Sequence, residues 1–299
     1  MSETIAIIQA DIFTERPFAG NPAAAVVDAD GLDASAMQRI AAEMLVPGTA
    51  FVSATAQAGV DWRLRMFTPK REVGYSGHTA LCATHALLES GRLPGDRVTY
   101  DTPAGLLRVD VERGPDRALM WLEPPLPACR PFEGDLGDIL DALGLPRAAV
   151  AGWARPAVTP DQDLLLPARD LAALRALEPD MRRLAAVRVP QQARGVCVVS
   201  RETVDPGSWS HCRFFAPHYG IPEDIVTGSV HSALGVWLLE AGALPAADGR
   251  IVFTAEQGDG LGRPGRLQVE VDATAGHVRR VRVGGRAVTV LTGRLRSDA

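Results

Sequence analysis

The sequence has a single lysine, Lys70, among its 299 residues, and the 31 basic and 36 acidic side chains are interspersed along the chain. With a formal net charge of -5, it offers no basic stripe of the kind that binds the phosphate backbone of a nucleic acid. It also has no apolar run of the roughly 18 to 20 residues that a membrane-spanning helix requires. These absences argue against a nucleic-acid partner and against a membrane protein.

Cysteine is also scarce. The four cysteines, Cys82, Cys129, Cys197 and Cys212, show no Cys-x-x-Cys spacing, which favours reduced structural thiols over a disulfide framework or a zinc site. The histidines show no His-Glu-x-x-His or comparable spacing, so we predict no metal. Residues 1–11 lack the basic and apolar segments of a secretory leader, and we therefore expect a soluble cytoplasmic protein.

What the chain does contain is a long internal repeat. Three pairs of segments match: 87–94 (LLESGRLP) with 238–245 (LLEAGALP), 65–69 (RMFTP) with 213–217 (RFFAP), and 77–78 (GH) with 228–229 (GS). In the first and third pairs the two copies lie 151 residues apart. A repeat of about half the chain predicts two similar domains rather than a solenoid, and a ligand is expected in the cleft between them.

Both copies predict the same local structure. Each is rich in strand-like runs and contains one helix that is apolar on nearly every face, Thr79–Leu88 in the first copy and Val230–Leu239 in the second. Because a helix that is apolar all round is buried, we predict an α+β fold in which each domain wraps its strands around a central helix. Amphipathic helices are predicted outside, over 34–44, 136–143 and 170–183.

Prolines cluster between the copies, at Pro124, Pro125, Pro127 and Pro131, and mark a linker. The predicted domains are therefore 1–124 and 125–284. The sequence leaves open whether the last strands, 285–299, return to complete the first domain.

Candidate site residues gather at the starts of the two buried helices. Gly77 and Gly228 lie at helix starts, where the free N–H groups and the positive end of the helix dipole bind anions. The alternative is that each glycine is needed only to form a tight turn. His78 follows Gly77, where the neutral form of an imidazole is favoured; it can relay protons or merely bond to the backbone. Duplication of the glycine makes us favour a carboxylate site, with His78 as its proton shuttle.

Other side chains near these turns have two readings. Asp224 precedes the second helix and can either cap it or exchange protons, and Glu72 and Glu223 share this ambiguity. Asn21, between a glycine and a proline, is either a turn former or a ligand contact. His231, inside the second helix, is predicted to be a packed core residue, as is His85 in the first helix.

Taken together, these residues resemble the phenazine-biosynthesis PhzF-like family. The matching motifs are Asp11-Ile12-Phe13-Thr14, Gly20-Asn21-Pro22, Phe67-Thr68-Pro69, Glu72, Gly77-His78, Phe215-Ala216-Pro217, Glu223-Asp224, Thr227-Gly228-Ser229, Gly262-Arg263-Pro264 and Val283-Gly284-Gly285. The resemblance runs nearly end to end. It implies the diaminopimelate-epimerase-like fold, with two pseudo-symmetric halves that are each a barrel-like, mostly antiparallel sheet around a central helix, and a homodimer.

The resemblance also implies a chemistry. The type reaction is the isomerisation of a dihydro-hydroxyanthranilate, by acid/base groups in the cleft and without a metal or organic cofactor. His78 and Asp224 match the family's active-site positions, and Gly77, Gly228 and Ser229 match contacts to the substrate. Ser76 and Thr227 stand where the epimerase and racemase relatives keep paired cysteines, which disfavours thiol-based racemisation.

One departure from the family pattern affects the mechanism. The family's principal proton-transfer glutamate stands just before Thr-x-Phe-Val, and here Gly48 occupies that position. Loss of a positioned acid/base group typically reduces the rate by about 10² to 10⁴-fold. Three readings follow: an isomerase of a small unsaturated carboxylic acid of specialised metabolism that uses His78 and Asp224, a lyase that eliminates water from a hydroxy acid, and a non-catalytic protein that binds a metabolite or partner. We favour the first.

Overall fold

The computed structural model describes residues 3–93, 95–187, 194–245 and 249–297. Pro94, the last residue of the first repeated segment, lies outside them. The α-helices in the described residues are α1 (Ala34–Met44), α2 (Gly77–Glu89), α3 (Gly137–Leu143), α4 (Leu171–Arg175), α5 (Met181–Ala186) and α6 (Gly228–Glu240). In this part of the chain, no helix combines the length and the apolar character needed to cross a membrane.

The chain divides into two compact units. Unit 1 comprises Met1–Glu123 and Gly284–Ala299, and unit 2 comprises Pro124–Val283. The boundaries predicted from the sequence were 124/125, at the proline cluster, and 284/285, before the last strands. The last segment of the chain belongs to unit 1, which is therefore built from two separate stretches of sequence.

Unit 1 contains nine complete strands among its described residues. They are β1 (Glu3–Ile12), β2 (Asn21–Val26), β3 (Gly48–Ser53), β4 (Trp62–Phe67), β5 (Glu72–Val73), β6 (Arg97–Thr102), β7 (Gly105–Glu112), β8 (Leu119–Leu122) and β18 (Ala287–Ser297). Hydrogen bonding joins them in the order β18, β1, β2, β3, β4, β6, β7, β8, with β5 paired to the end of β4. The β2/β3 and β4/β6 pairs are parallel and the others are antiparallel.

Unit 2 repeats this pairing pattern. Its strands are β9 (Arg130–Pro131), β10 (Ala157–Val158), β11 (Asp163–Pro167), β12 (Gly195–Ser200), β13 (Ser208–Ala216), β14 (Ile221–Asp224), β15 (Gly249–Gln257) and β16 (Gly265–Thr274), while β17 (His277–Gly285) crosses the boundary. The parallel pairs are β11/β12 and β13/β15, at the places that β2/β3 and β4/β6 hold in unit 1. The predicted duplication is thus present in the strand order as well as in the sequence.

Each unit contains one of the two predicted apolar helices. Helix α2 buries most of its residues and packs against β1, β2, β3, β4 and β8, and α6 buries every residue from Val230 to Leu239 and packs against β16. Both helices are 13 residues long. The prediction of an α+β fold with a buried helix in each half is confirmed. The two helices are apolar on nearly every face, which is what burial on every face requires.

The predicted helix over 170–183 is wrong as a single element. It consists of two short helices, α4 and α5, separated by a segment that contains Pro179. Proline disfavours a helical conformation in the residue before it and removes a backbone donor. Asp180 then starts α5 as its N-cap, accepting hydrogen bonds from the amides of Arg182 and Arg183. The other two amphipathic helices agree with α1 and α3.

Candidate functional site

In unit 1, the candidate residues lie at the start of helix α2. Ser76 is the N-cap residue, and its side chain makes no capping hydrogen bond, so it leaves the first amides of the helix uncapped. Gly77 and His78 are the first two residues of α2. Gly48 is the first residue of β3, and α2 packs directly on β2 and β3. The fold thus brings Gly48 next to His78, although the two residues are distant in sequence.

The imidazole of His78 is half-buried and lies beside two hydroxyl groups. Its Nδ1 is 3.5 Å from Ser76 Oγ and its Nε2 is 3.4 Å from Thr79 Oγ1, while the two hydroxyl oxygens are 2.7 Å apart. Desolvation lowers the pKa of His78 from 6.5 to about 4, since removal from water disfavours the charged ring. The imidazole is therefore neutral at physiological pH and has both an acceptor and a donor nitrogen.

Asn21, a predicted substrate contact, is the first residue of β2 and is completely buried. It pairs with Ile12 across the β1/β2 ladder. The preceding residue, Gly20, has a φ of 59°, and a Cβ atom there would lie 2.1 Å from the carbonyl oxygen of Ile12. Glycine is therefore required at the turn that leads into Asn21.

In unit 2, the candidate residues surround the start of helix α6. Thr227 is the N-cap residue, its side chain does not cap the helix, and Gly228 and Ser229 follow as the first helical residues. Asp224 ends strand β14, and its carboxylate Oδ2 accepts a 2.6 Å hydrogen bond from the Thr227 hydroxyl. Thr227, not Asp224, occupies the N-cap position, and the Asp224 carboxylate is oriented by the residue that precedes the helix.

A buried glutamine that the sequence did not single out holds this turn. The Gln257 side chain is completely buried; its Nε2 donates to the carbonyl oxygen of Asp224 at 2.9 Å and to Thr227 Oγ1 at 3.1 Å. Its Oε1 accepts from the Thr227 amide at 3.0 Å and contacts Cys212 Sγ at 3.6 Å. One amide group thus anchors both the backbone and the hydroxyl next to Asp224, which makes Gln257 a positioning residue.

An arginine also lies at the start of α6. Arg194 donates to Ser229 Oγ at 3.0 Å and forms a two-pronged ion pair with the carboxylate of Asp163. Burial raises the pKa of Asp163 to about 6, although the hydrogen bonds from Arg194 act in the opposite direction. Ser229 is therefore fixed by a cation from outside its own helix, a long-range contact that sequence spacing could not reveal.

The ambiguity of Glu72 and Glu223 is resolved by a duplicated ion pair. Glu72 binds Arg65 through two hydrogen bonds of 2.7 Å, and Glu223 binds Arg213 through bonds of 2.8 and 2.9 Å. Each guanidinium also lies over the ring of the phenylalanine two residues later. Both glutamates are held by arginine side chains, whereas the Asp224 carboxylate bonds to the N-cap residue of α6.

The two helix histidines predicted to be core residues have structural partners. His231 is completely buried, its Nδ1 lies 2.9 Å from the carbonyl oxygen of Thr227, and its Nε2 lies 3.6 Å from Cys212 Sγ. His85 is partly buried and bonds to Thr289 Oγ1 at 2.9 Å. The cysteines are free thiols, and the described residues contain no group of three or more side chains arranged to hold a metal.

Comparison with known proteins identifies the family. The model of the family described as phenazine biosynthesis-like protein, PhzC-PhzF, matches residues 10–293, and the chain belongs to this family. An uncharacterized isomerase of Deinococcus radiodurans is 35% identical over 280 residues, which cover 91% of this chain and 89% of the relative. An uncharacterized isomerase of Pseudomonas aeruginosa is 36% identical over 290 residues, covering 96% and 97%.

A solved structure agrees with this assignment. The crystal structure of a Bacillus anthracis phenazine biosynthesis protein of the PhzF family superposes with a TM-score of 0.90 at 26% identity, covering 99% of this chain and 100% of that chain. The PhzF-like fold predicted from the motifs is therefore confirmed. Relatives named isomerases support an isomerase-type function for this chain.

Proposed function

We propose that the protein is a cofactor-independent isomerase that moves a proton, and with it a double bond, within a small unsaturated carboxylic acid of specialised metabolism. The observation that carries the proposal is the position of the His78 imidazole at the start of α2, where Ser76 makes no capping hydrogen bond. The neutral imidazole can accept a proton, and it lies next to helix amides that can bind the carboxylate of a substrate. Family membership and relatives named isomerases point the same way.

In this proposal His78 takes the proton from carbon and Asp224 is the partner acid/base. The amides at Gly77 and Gly228 bind the carboxylate of the substrate, and the remaining contacts come from Asn21, Ser76, Thr227 and Ser229. The hydrogen bond from Thr227 to Asp224 supports its role, because it holds the carboxylate in one orientation.

A second candidate function is a non-catalytic, metabolite-binding member of the family. Gly48 favours it, since the resemblance places the principal family glutamate at this position and glycine supplies no proton-transfer group. The uncapped helix starts would bind a carboxylate in either case. The two functions differ in whether a proton on the ligand exchanges with solvent.

The test is proton exchange in deuterated water. The protein is incubated with a dihydro-hydroxyanthranilate and a panel of small unsaturated carboxylic acids, and mass spectrometry detects deuterium in substrate or product. An isomerase incorporates deuterium without any other change of mass, whereas a lyase product has lost a water molecule. Binding that calorimetry detects without exchange would support the non-catalytic function.

The residue assignment is tested with His78→Gln and Asp224→Asn, which keep side-chain size but remove the acid/base group. Each is expected to lower the exchange rate at least about tenfold while the thermal unfolding midpoint stays close to that of the wild type. The matched control is His85→Gln, a histidine of the same helix that bonds to Thr289, and it should keep full activity. Full activity in both site variants would refute the assignment.

A further inference from the structure

The sheet of unit 2 is cut short at the place where two long strands stand in unit 1. In unit 1, β18 pairs with β1, β1 pairs with β2, and β2 runs parallel to β3. In unit 2, the same order of pairing joins β9, β10, β11 and β12. Strands β1 and β18 have 10 and 11 residues and contact α2, whereas β9 and β10 have two residues each.

A cavity of about 400 Å³ lies in unit 2 between these short strands and the second half of α6. A volume of this size is typical of small-molecule sites. Half of the lining residues are proline, glycine or alanine, which have little rotameric freedom to lose when a ligand binds. These residues are Pro131, Gly152, Ala154, Pro156, Ala157 and Ala241.

Two tryptophans form the aromatic wall of the cavity. The rings of Trp153 and Trp237 have centroids 5.0 Å apart and planes tilted by 56°. Their indole N–H groups already donate to the carbonyl oxygens of Ala168 and Arg155, at 3.1 and 2.9 Å. The rings are therefore held in place and offer a ligand apolar surface. The residue that matches Trp237 in the first repeat, 151 positions earlier, is Ala86, so this wall is particular to unit 2.

The charged side chains of the cavity favour a ligand with one negative charge. Arg130, Arg155 and Glu240 line it and are exposed, and two guanidinium groups with one carboxylate leave a net charge of +1. Arg130 donates to Gln162 Oε1 at 3.1 Å, whereas the Arg155 side chain has no hydrogen-bond or ion-pair partner within the described residues. Burial, with a smaller contribution from Glu240, raises the pKa of the Cys129 thiol to about 12, so this lining residue is uncharged.

The repeat also provides a comparison for Glu240. The matching residue of the first copy, Glu89, accepts a 2.6 Å hydrogen bond from Thr289 of β18. In unit 2 the place of β18 is taken by β9, which ends after two residues. Glu240 borders the cavity instead, where its carboxylate can accept a hydrogen bond from a hydroxyl or N–H group of a ligand.

From this arrangement we propose that the cavity is a second small-molecule site and that it binds a small aromatic carboxylic acid with a single negative charge. The ring of the ligand packs against Trp153 and Trp237, and its carboxylate pairs with the planar guanidinium of Arg155. The site is distinct from the candidate residues at the start of α6, because Trp237 follows Gly228 by nine residues, about 14 Å along the helix.

Calorimetric titration with indole-3-carboxylate and its uncharged carboxamide tests the recognition of the acid. The wild type should bind the acid at least about tenfold more tightly than the amide, since a hydrogen bond to a charged group contributes that much. Arg155→Gln should remove this preference and leave the thermal unfolding midpoint unchanged, because the side chain is exposed. Absence of binding, or equal affinity for the acid and the amide, would overturn the proposal.

The matched control is Arg175→Gln, which removes an exposed arginine of α4 outside the cavity wall. It should keep the full affinity for indole-3-carboxylate and the preference over the amide. A loss as large as that in Arg155→Gln would mean that net charge, and not the cavity, attracts the acid, which also counts against the proposal.

Variants at the two places locate the bound acid. Ala154→Leu fills part of the cavity with apolar atoms and should abolish binding of indole-3-carboxylate, whereas His78→Gln and Asp224→Asn should leave it unchanged. The reverse pattern would place the acid at the candidate residues of the helix starts and would disprove the cavity site.

Sedimentation of the ligand-free protein tests a different occupant. If the wild type self-associates and Ala154→Leu dissociates it, a second copy of the chain fills the cavity and the proposal fails. None of these measurements requires turnover. If no acid exchanges deuterium, the proposed function fails, while the titrations still decide whether the cavity binds an aromatic acid.

Discussion

At the scale of single residues, the protonation of His78 leads to a pH prediction. Desolvation places its pKa at about 4 instead of 6.5, so the ring should remain a neutral base in weakly acidic solution. We expect the His78 resonance to titrate with a midpoint near 4, and the acid limb of the exchange rate to fall at similar pH if His78 is the base. In protein unfolded in urea, the same residue should titrate near 6.5.

The lowered pKa of His78 also makes the free energy of unfolding depend on pH. Between pH 6.5 and about 4 the unfolded chain binds a proton at this residue more readily than the folded chain does. The contribution of His78 to the free energy of unfolding is therefore fully present above 6.5 and is lost as the pH falls toward 4. In His78→Gln, stability should depend less on pH across this interval. An equally steep dependence in the variant would assign the effect to other groups.

Position in the sequence was enough to propose residues at the helix starts but not the residues that support them. His78 and Asp224 were proposed because each lies close to a repeated glycine turn, a local pattern. The contact between Thr79 and Gly48 was missed because the two residues are distant in sequence. Gln257 was missed because it reaches the Asp224 turn from the end of another strand. Contacts between elements that are distant along the chain produce no recognisable spacing pattern in a single sequence.

At the scale of elements, the buried helices were predictable because burial on every face leaves a clear apolar pattern, and the repeat supplied a second copy. The helix over 170–183 was mispredicted because its apolar pattern continues through Pro179, where the backbone cannot remain helical. The pairing of strands was not predictable from the pattern of apolar residues. The parallel pairs β2/β3 and β11/β12 each join strands separated by a long stretch of chain.

The duplicated ion pair gives a prediction with an internal control. Arg213 and Glu223 join β13 to β14 with side chains only 15% and 10% exposed, whereas Arg65 and Glu72, which join β4 to β5, are 19% and 32% exposed. Arg213 also donates to the carbonyl oxygens of Leu174 and Leu177. Removing one partner of a more deeply buried pair costs more, because the remaining charge is less well solvated.

We therefore expect Glu223→Gln to lower the free energy of unfolding by about 1–3 kcal/mol, and Glu72→Gln by less than about 1 kcal/mol. Urea unfolding of both variants measures the difference directly. Since neither glutamate is assigned to catalysis, both variants should keep the deuterium exchange activity of the folded protein. A larger loss of stability for Glu72→Gln would show that burial does not set the strength of these pairs.

At the scale of the whole molecule, unit 1 depends on the last part of the chain. Strand β18 pairs with β1 along its length, from Glu3 with Ser297 to Ile12 with Ala287. It also buries Val288 and provides Thr289, the hydrogen-bond partner of His85 on α2. The partner of the first strand is thus nearly the whole chain away in sequence, and unit 1 can be completed only after unit 2 has been synthesised.

Truncation after Arg286 is the sharpest test of this dependence. It leaves the backbone groups of β1 unpaired on one side and exposes the apolar side chains that Val288 covers. Unpaired buried backbone groups are costly in free energy. In hydrogen exchange followed by mass spectrometry, peptides of unit 1, including α2, should lose more protection than peptides of α3 and β12 in unit 2. A chain ending at Ser297 retains all of β18 and should match the full chain. Equal protection of β1 in the two truncated chains would mean that β18 is dispensable and that unit 1 folds from its first stretch alone.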